Sequence, residues 1–346
     1  MKIVIAAGGT GGHIYPGIAL AEELKSRDPG NRIVFIGSRE GLEKELVGRE
    51  GFEIKLIHAR ALLRKLSYKA VSAPFVSALG FFESLFLLAS IRPDRLVVTG
   101  GYASFPVIAA AIVMRIPFFL LEQNALPGFS NRFWHRFARK VVLTFEGSQK
   151  YLPGTVLGNP VRKKILEQKP IVHDRPAVTV IGGSQGARSI NRAIAEQIDK
   201  LSGIDVYHII GKRDFNALKD KVSAERHPFY HPIEYMYNME ELLGRSDLVV
   251  SRAGATAISE ILALGLPSIL IPFPYSAEGH QDYNAKALTD AGAAKILTDD
   301  RISGLSEMIV SLFNDRKEMD SMAAAAGRIA RRDAAKDIAE MLYAEH

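Results

Sequence analysis

Two glycine-rich turns and one glutamate hold most of the chemistry legible in this sequence. The turns are Gly8-Gly9-Thr10-Gly11-Gly12-His13 and Gly182-Gly183-Ser184-Gln185-Gly186-Ala187, each preceded by a short apolar run and followed by a stretch of helical spacing. Glycines there let the backbone turn sharply into a helix N-terminus, where amides and the helix dipole favour an anion. The glutamate is Glu260, at the end of Ser251-Arg252-Ala253-Gly254-Ala255-Thr256-Ala257-Ile258-Ser259-Glu260, which follows the apolar run Leu248-Val249-Val250. A carboxylate only accepts hydrogen bonds and offers two oxygens, which suits a vicinal diol such as the 2′ and 3′ hydroxyls of a ribose. A lone glutamate on a helix is ordinarily a solvated charge, but here the neighbours add weight. Downstream, Pro272-Phe273-Pro274-Tyr275 leads to His280-Gln281-Asp282-Tyr283-Asn284-Ala285, which sets adjacent His and Gln side chains at a loop-to-helix junction, within reach of sugar hydroxyls.

Several familiar anion sites are excluded. The dinucleotide pattern G-x-G-x-x-G fails in both turns, because Ile14 stands at the third glycine position of the first and Ser184 at the second glycine position of the other. No acidic residue ends the second apolar run, where Gly37-Ser38-Arg39 follows Ile36, so a nicotinamide enzyme is disfavoured. Gly211-Lys212 continues to Arg213, which removes the phosphate-loop NTPases. With no Asp-x-Asp pair, a metal-held diphosphate has no obvious ligands, and a metal-free site of amides and helix dipole is expected. Two such sites suit a diphosphate donor in one half and a second phosphorylated molecule in the other.

The elements that would position these residues alternate between strand and helix. Ile3–Ala6, Arg32–Ile36, Ile54–His58, Arg95–Val98, Phe118–Leu121 and Val141–Leu143 read as buried strands, and so do Val178–Ile181, Asp205–Ile210, Leu248–Val250 and Ser268–Ile271. Longer segments of helical spacing separate them, the rhythm of a doubly wound parallel sheet. The pattern breaks around Leu157-Gly158-Asn159-Pro160, which puts a domain boundary at about 158/159. At 346 residues, 47% of them hydrophobic, the chain is long enough for two cores. A net charge of +6 favours acidic partners without choosing among them, and the lack of cysteine rules out disulfides and thiolate metal sites. Met1-Lys2 leads straight into the first strand, so no cleavable signal peptide is expected. The greasy stretch Ala70–Ile91 is interrupted by Pro74, Glu83 and serines and reads as a core-facing helix rather than a membrane span.

In order along the chain, GGTGGHIYPG, TGGYASFP at 99–106, LEQNALPG at 121–128, GNPVR at 158–162, GGSQGARSIN at 182–191, SRAGATAISE and HQDYNA make the sequence similar to the MurG family. These are UDP-N-acetylglucosamine:N-acetylmuramyl-(pentapeptide)-pyrophosphoryl-undecaprenol N-acetylglucosaminyltransferases of bacterial cell-wall synthesis. The resemblance implies an α/β, GT-B fold of two Rossmann-like domains with the active site in the cleft, and a final helix from about Asp333 returning to the first. It implies an acceptor and membrane domain of residues 1–158 plus about 333–346, and a donor domain of residues 159–332. The implied reaction is inverting transfer of GlcNAc to the C4 hydroxyl of the muramyl sugar of lipid I, giving lipid II, without cofactor, metal or nucleic acid.

Carried onto matching residues, the family's donor site places the UDP diphosphate on Ser184, Gln185 and Gly186, the ribose on Glu260 beside Ala255 and Thr256, the uracil on the backbone of Met236 and the GlcNAc hydroxyls on Gln281. Arg162 would add positive charge, and Thr10, Gly11, Gly12 and Asn124 would complete the donor contacts. His280 stands where the family often has Gln, and an imidazole still donates or accepts one hydrogen bond. Acceptor binding falls to Gly9, Thr10, His13, Tyr102 and Asn124. His13 is the implied base, with an ordinary pKa of about 6.5 suited to that task; the alternative is a helix cap or phosphate ligand. Arg60, Leu62, Leu63, Arg64, Lys65, Leu66, Lys69, Phe75, Leu79 and Phe82 form the implied membrane patch, on the cytoplasmic face of the inner membrane, where other cell-wall synthesis proteins are further partners. Two enzyme classes share the Glu260 logic, UDP-GlcNAc 2-epimerases and glycolipid glycosyltransferases; a non-catalytic nucleotide-binding scaffold at the membrane is a third reading.

Overall fold

The computed structural model describes residues 1–60, 68–183, 186–219, 222 and 225–345, the side chains of 68–74 excepted. The chain divides into two units, Met1–Arg162 with Arg332–His346, and Lys163–Arg331. The division falls after Arg162 rather than at Gly158, so the GNPVR string ends the first unit instead of opening the second.

The first unit is built on β1 (Lys2–Ala7), β2 (Arg32–Ser38), β3 (Glu53–Ile57), β4 (Arg95–Gly100), β5 (Phe118–Glu122), β6 (Lys140–Leu143) and β7 (Thr155–Val156). They form one sheet in the order β3-β2-β1-β4-β5-β6-β7, parallel at every pairing. The second unit has β8 (Ala177–Ile181), β9 (Asp205–Ile209), β10 (Tyr230–Ile233), β11 (Leu248–Ser251), β12 (Ser268–Leu270) and β13 (Ala294–Ile296), parallel in the order β10-β9-β8-β11-β12-β13. Both are Rossmann-like doubly wound sheets, as the alternation of patterns predicts. Central strands such as Ile3-Val4-Ile5-Ala6 are covered on both faces, which is why they read as unbroken apolar runs. In each unit the order reverses beside the first strand, between β1 and β4 and between β8 and β11. Each glycine turn leaves the sheet at that switch point, where open α/β sheets bind ligands.

Three strands escape the sequence reading: β7, β10 and β13. All lie at sheet edges. Edge strands need only one covered face and tolerate residues such as Pro232 in β10, so their pattern is faint. The last helix, Ala334–Ala344, belongs to the first unit and buries Ile338, Ala339 and Leu342 in the core that includes Ile14, Ile18 and Leu24 of the helix Gly11–Arg27. Asn31 Nδ2 donates to Tyr343 Oη at 2.6 Å, and Arg27 pairs with Glu340 at 3.2 Å, fastening the return.

A buried histidine ties β9 to its neighbours. His208 Nε2 donates to Asn191 Oδ1 at 3.0 Å and its Nδ1 accepts from the Tyr230 hydroxyl at 3.0 Å, while Asn191 Nδ2 donates to Ile210 O at 2.9 Å. Burial lowers the imidazole pKa to about 3, so the ring stays neutral. The unfolded chain takes up this proton below about pH 6.5, whereas the folded chain refuses it until about pH 3. Stability from this site is therefore full above pH 6.5 and drains away as pH falls across that window. In urea unfolding of the second unit, the loss between pH 6.5 and 5 should be about 2 kcal/mol smaller in His208→Gln than in wild type; equal losses would remove His208 from the pH response.

Candidate active site

At the first switch point the backbone is packed too tightly for side chains. A Cβ on Gly101 would collide with Gly8 O, one on Gly8 would lie 2.6 Å from the Ala103 Cβ, and one on Gly9 2.7 Å from the Tyr102 ring. Gly9, Gly100 and Gly101 also have positive φ (89°, 100° and 82°), which only glycine adopts without strain. Thr10 begins the helix Gly11–Arg27 from an extended conformation, its carbonyl accepting from the amides of His13 (3.0 Å) and Ile14 (3.2 Å) and its side chain making no cap bond. The Gly9 amide is committed within the protein, donating to Glu43 Oε1 at 2.7 Å.

His13 stands in the first turn of that helix with Nδ1 2.9 Å from Thr99 O and 3.3 Å from Gln123 Oε1. Both are acceptors, so the ring's proton sits on Nδ1 and the neutral imidazole carries its lone pair on Nε2. That tautomer is the one a base needs if Nε2 is to receive a proton. Asn124 is placed by Glu122 at the end of β5. The Asn124 amide and Nδ2 donate to Glu122 Oε1 at 2.9 and 3.3 Å, and the Gly128 amide and Asn131 Nδ2 donate to Oε2 at 3.0 and 2.9 Å. Burial raises the Glu122 carboxyl, with these four donors pulling it back. Tyr102 is half-buried against Gly9, and its hydroxyl is raised by burial first and by the Glu43 and Glu40 charges. Arg162 is buried with its guanidinium 4.3 Å above the Tyr15 ring, a cation–π contact on the helix that carries His13.

At the second switch point Gly186 has φ of 71°, and a Cβ there would collide with Ile210 O. Its amide donates to Gly183 O at 2.9 Å, turning the chain into the helix Arg188–Gln197. Ser184 and Gln185 lie outside the described residues. After β11, Gly254 caps the helix Ala255–Ala263, in which Ala255, Thr256 and Glu260 are all buried. A buried Glu260 departs from the solvated charge that its residue type alone suggests. Asn284 Nδ2 donates to Ala253 O at 3.0 Å, so the helix His280–Asp290 is pinned to that same loop. Its first residues then have a defined polarity. Gln281 Oε1 accepts from the Phe273 amide at 2.9 Å, leaving its NH₂ as the group to offer a ligand. His280 Nδ1 donates to Ala277 O at 2.7 Å, leaving Nε2 as an acceptor. Met236 lies beside the small core of Ile181, Ile209 and Leu242, past the end of β10.

Arg252 joins these loops and has no role in the sequence reading, although it lies in a quoted string. Its Nη1 donates to Ile271 O (3.2 Å), Pro272 O (3.0 Å) and Asp299 Oδ1 (2.8 Å), and its Nη2 to Ser189 Oγ at 2.8 Å. Gln123 and Glu43 were missed likewise, their partners being distant in the chain, and Glu122 was missed although its partners Asn124, Gly128 and Asn131 lie close by in sequence. Among the described residues no group of three His, Asp or Glu side chains could hold a metal ion.

Residues 3–143 match the glycosyltransferase family 28 N-terminal domain and residues 177–341 the glycosyltransferase family 28 C-terminal domain. The chain is 39% identical, over 99% of its length and 92% of the relative's, to the UDP-N-acetylglucosamine–N-acetylmuramyl-(pentapeptide) pyrophosphoryl-undecaprenol N-acetylglucosamine transferase of Myxococcus xanthus. It is 40% identical to the enzyme of the same name from an Exiguobacterium species, covering 98% of this chain and 99% of that one. The chain belongs to the MurG family of glycosyltransferases. The crystal structure of Acinetobacter baumannii MurG superposes with a TM-score of 0.77 at 25% identity over 99% of each chain. A UDP-GlcNAc 2-epimerase from Neisseria meningitidis superposes at 0.69 with 15% identity over 100% of both chains, a likeness of fold alone.

In a MurG-family protein the Arg252 hub should be worth more to stability than an ordinary surface ion pair. Arg252→Ala should cost about 3 kcal/mol of second-unit stability in urea, the low end for breaking a buried pair. Arg252→Lys should recover only part of this, because an ammonium cannot reach four acceptors in a plane. A variant within about 0.5 kcal/mol of wild type would reduce the hub to a surface contact.

Proposed function

We infer that the chain is a hexosyltransferase moving N-acetylglucosamine from UDP-GlcNAc to the C4 hydroxyl of the muramyl sugar of lipid I, forming lipid II for peptidoglycan. Near-full-length identity to transferases named for this activity carries the reading. The epimerase alternative has only the shared fold behind it.

In our reading the first unit serves the acceptor. His13 Nε2 takes the proton of the attacking hydroxyl, because Thr99 O and Gln123 hold the other nitrogen protonated. Thr10, Tyr102 and Asn124 line the approach, the glycine turn at the helix start cradles the acceptor's pyrophosphate, and Thr10, Gly11, Gly12 and Asn124 complete the donor contacts. The second unit serves the donor. The turn around Ser184, Gln185 and Gly186 meets the charge that develops on departing UDP, Glu260 takes the ribose diol beside Ala255 and Thr256, and the Met236 backbone reads uracil. Gln281 donates to a sugar oxygen and His280 accepts from a hydroxyl, the polarity their loop bonds leave them. Arg162, buried on Tyr15, adds positive charge near the phosphates.

A radiolabelled transfer assay with a short-chain lipid I analogue tests this. Transfer should persist in EDTA, and His13→Ala should lower kcat about 10²- to 10⁴-fold with little change in UDP-GlcNAc KM. An unchanged kcat with only the acceptor KM raised would make His13 a phosphate ligand.

We further infer peripheral attachment at the cytoplasmic face of the membrane. No helix among the described residues is long and apolar enough to cross a bilayer. In the helix Tyr68–Ile91, however, Phe75, Leu79, Phe82 and Phe86 are 77%, 49%, 65% and 75% exposed at spacings that share one face. Leu62, Leu63, Arg64, Lys65 and Leu66 lie outside the described residues, as does the side chain of Lys69, and Arg60 is paired with Glu40 at 2.7 Å. Co-sedimentation with anionic vesicles should weaken with salt and fall in the Phe75→Ser, Phe82→Ser, Phe86→Ser triple variant, each basic residue near the surface contributing about 1 kcal/mol. Equal binding to neutral vesicles, together with an unaffected triple variant, would place the membrane face elsewhere.

A further inference from the structure

Glu43 opens the helix Glu43–Arg49 and is 1% exposed, yet none of the transfer chemistry uses it. Its Oε1 accepts from the amides of Gly9 at 2.7 Å and Ser38 at 3.1 Å, bridging the turn after β1 to the end of β2. Two glycines make room for it. A Cβ on Gly37 would lie 2.7 Å from Glu43 Cγ, and one on Gly41 would collide with Oε2. Oε2 is buried without a hydrogen-bond partner among the described residues, a costly arrangement for a carboxylate. Hydrogen bonds to a charged acceptor are roughly twice as strong as neutral ones, and both of those Glu43 receives come from backbone that leads into the site.

The mechanical path to His13 is short. The Gly8 amide donates to Gly100 O at 3.2 Å, and a Cβ on Gly100 would stand 3.0 Å from His13 Nδ1. Tyr102 packs on Gly9 from the other side. Release of the Gly9 amide would loosen the turn and so shift the imidazole relative to Thr99 O and Gln123.

We propose that Glu43 is a positioning residue for the transfer reaction, an internal anion that holds the Gly8–Gly12 turn and thereby fixes the tautomer and placement of His13. The proposal rests on His13 acting as the base. Its test reads the ring directly as well as the turnover. In ¹⁵N-histidine NMR, wild type should show His13 as the Nδ1–H tautomer, and Glu43→Ala should show both neutral tautomers in exchange. Turnover in Glu43→Ala should drop about 10- to 100-fold, as expected for a misplacement of about 1 Å, with the UDP-GlcNAc KM within about twofold. Glu43→Gln keeps an oxygen for both amides and should stay within about threefold of wild type on both counts. Glu43→Asp is one methylene too short to bridge Gly9 and Ser38, so it should behave like the alanine variant and stands in for it if that one does not fold. Wild-type turnover in Glu43→Asp, an unshifted His13 tautomer, or a donor KM that worsens in step with kcat would each overturn the proposal. A tautomer shift in a protein whose wild type transfers no sugar would uphold the positioning role and refute His13 as base.

Discussion

Both candidate sites depend on how closely backbone can approach backbone at the carboxyl ends of the central strands. The hydrogen-bond ladder runs out there, and each amide and carbonyl needs another partner. In the first unit Gly8 and Gly101 come so near that a side chain on Gly101 would occupy the Gly8 carbonyl; in the second Gly186 crosses Ile210 in the same way. The contact lets the Gly8 amide reach Gly100 O, and the Gly186 amide Gly183 O. A residue with Cβ would meet the left-handed backbone penalty of about 1–2 kcal/mol before any clash is counted. The helix starts, and with them His13 and the second turn, are placed by this fit.

The two units then secure their loops with opposite charge. In the first, buried carboxylates draw in amides: Glu43 takes those of Gly9 and Ser38, and Glu122 takes those of Asn124 and Gly128. In the second, a buried guanidinium draws in carbonyls, Arg252 holding those of Ile271 and Pro272.

What the sequence reveals follows the range of the interactions. Central strands are covered on both faces and announce themselves as apolar runs; β7, β10 and β13 at the edges do not. The glycine turns and Glu260 are local patterns, visible within ten residues. The groups that hold them are not local: Glu43 is 34 residues from Gly9, Gln123 is 110 from His13, and Arg252 is 47 from Asp299. No periodicity links such pairs. Glu122 and Gln123 do stand inside the string LEQNALPG; the loop bonds of Glu122 are local, whereas the task of Gln123, orienting an imidazole, needed the sheet order to appear.

The greasy helix Tyr68–Ile91 shows how one composition can answer two demands. Its inner face packs by close approach, with Gly80 against His58 O, Ser84 Oγ donating to Gly80 O at 2.6 Å, and Leu88 in the core. Glu83, the charge that interrupts the run, accepts from the His58 amide at 2.6 Å and from its ring at 2.8 Å, so it fastens the helix to the end of β3. A core-facing helix therefore accounts for half of the sequence. The outward phenylalanines lie mostly in solvent, although Phe82 meets the ring of Phe81 at 5.4 Å, and a helix apolar on both faces is otherwise found only where both are covered. Among the described residues nothing covers the other, and a contiguous exposed apolar stripe is the kind of surface that marks contact with a partner or a membrane. Lipid is the partner we propose for it, so that the outer face of this helix and the acceptor chemistry proposed for the same unit would answer to one requirement.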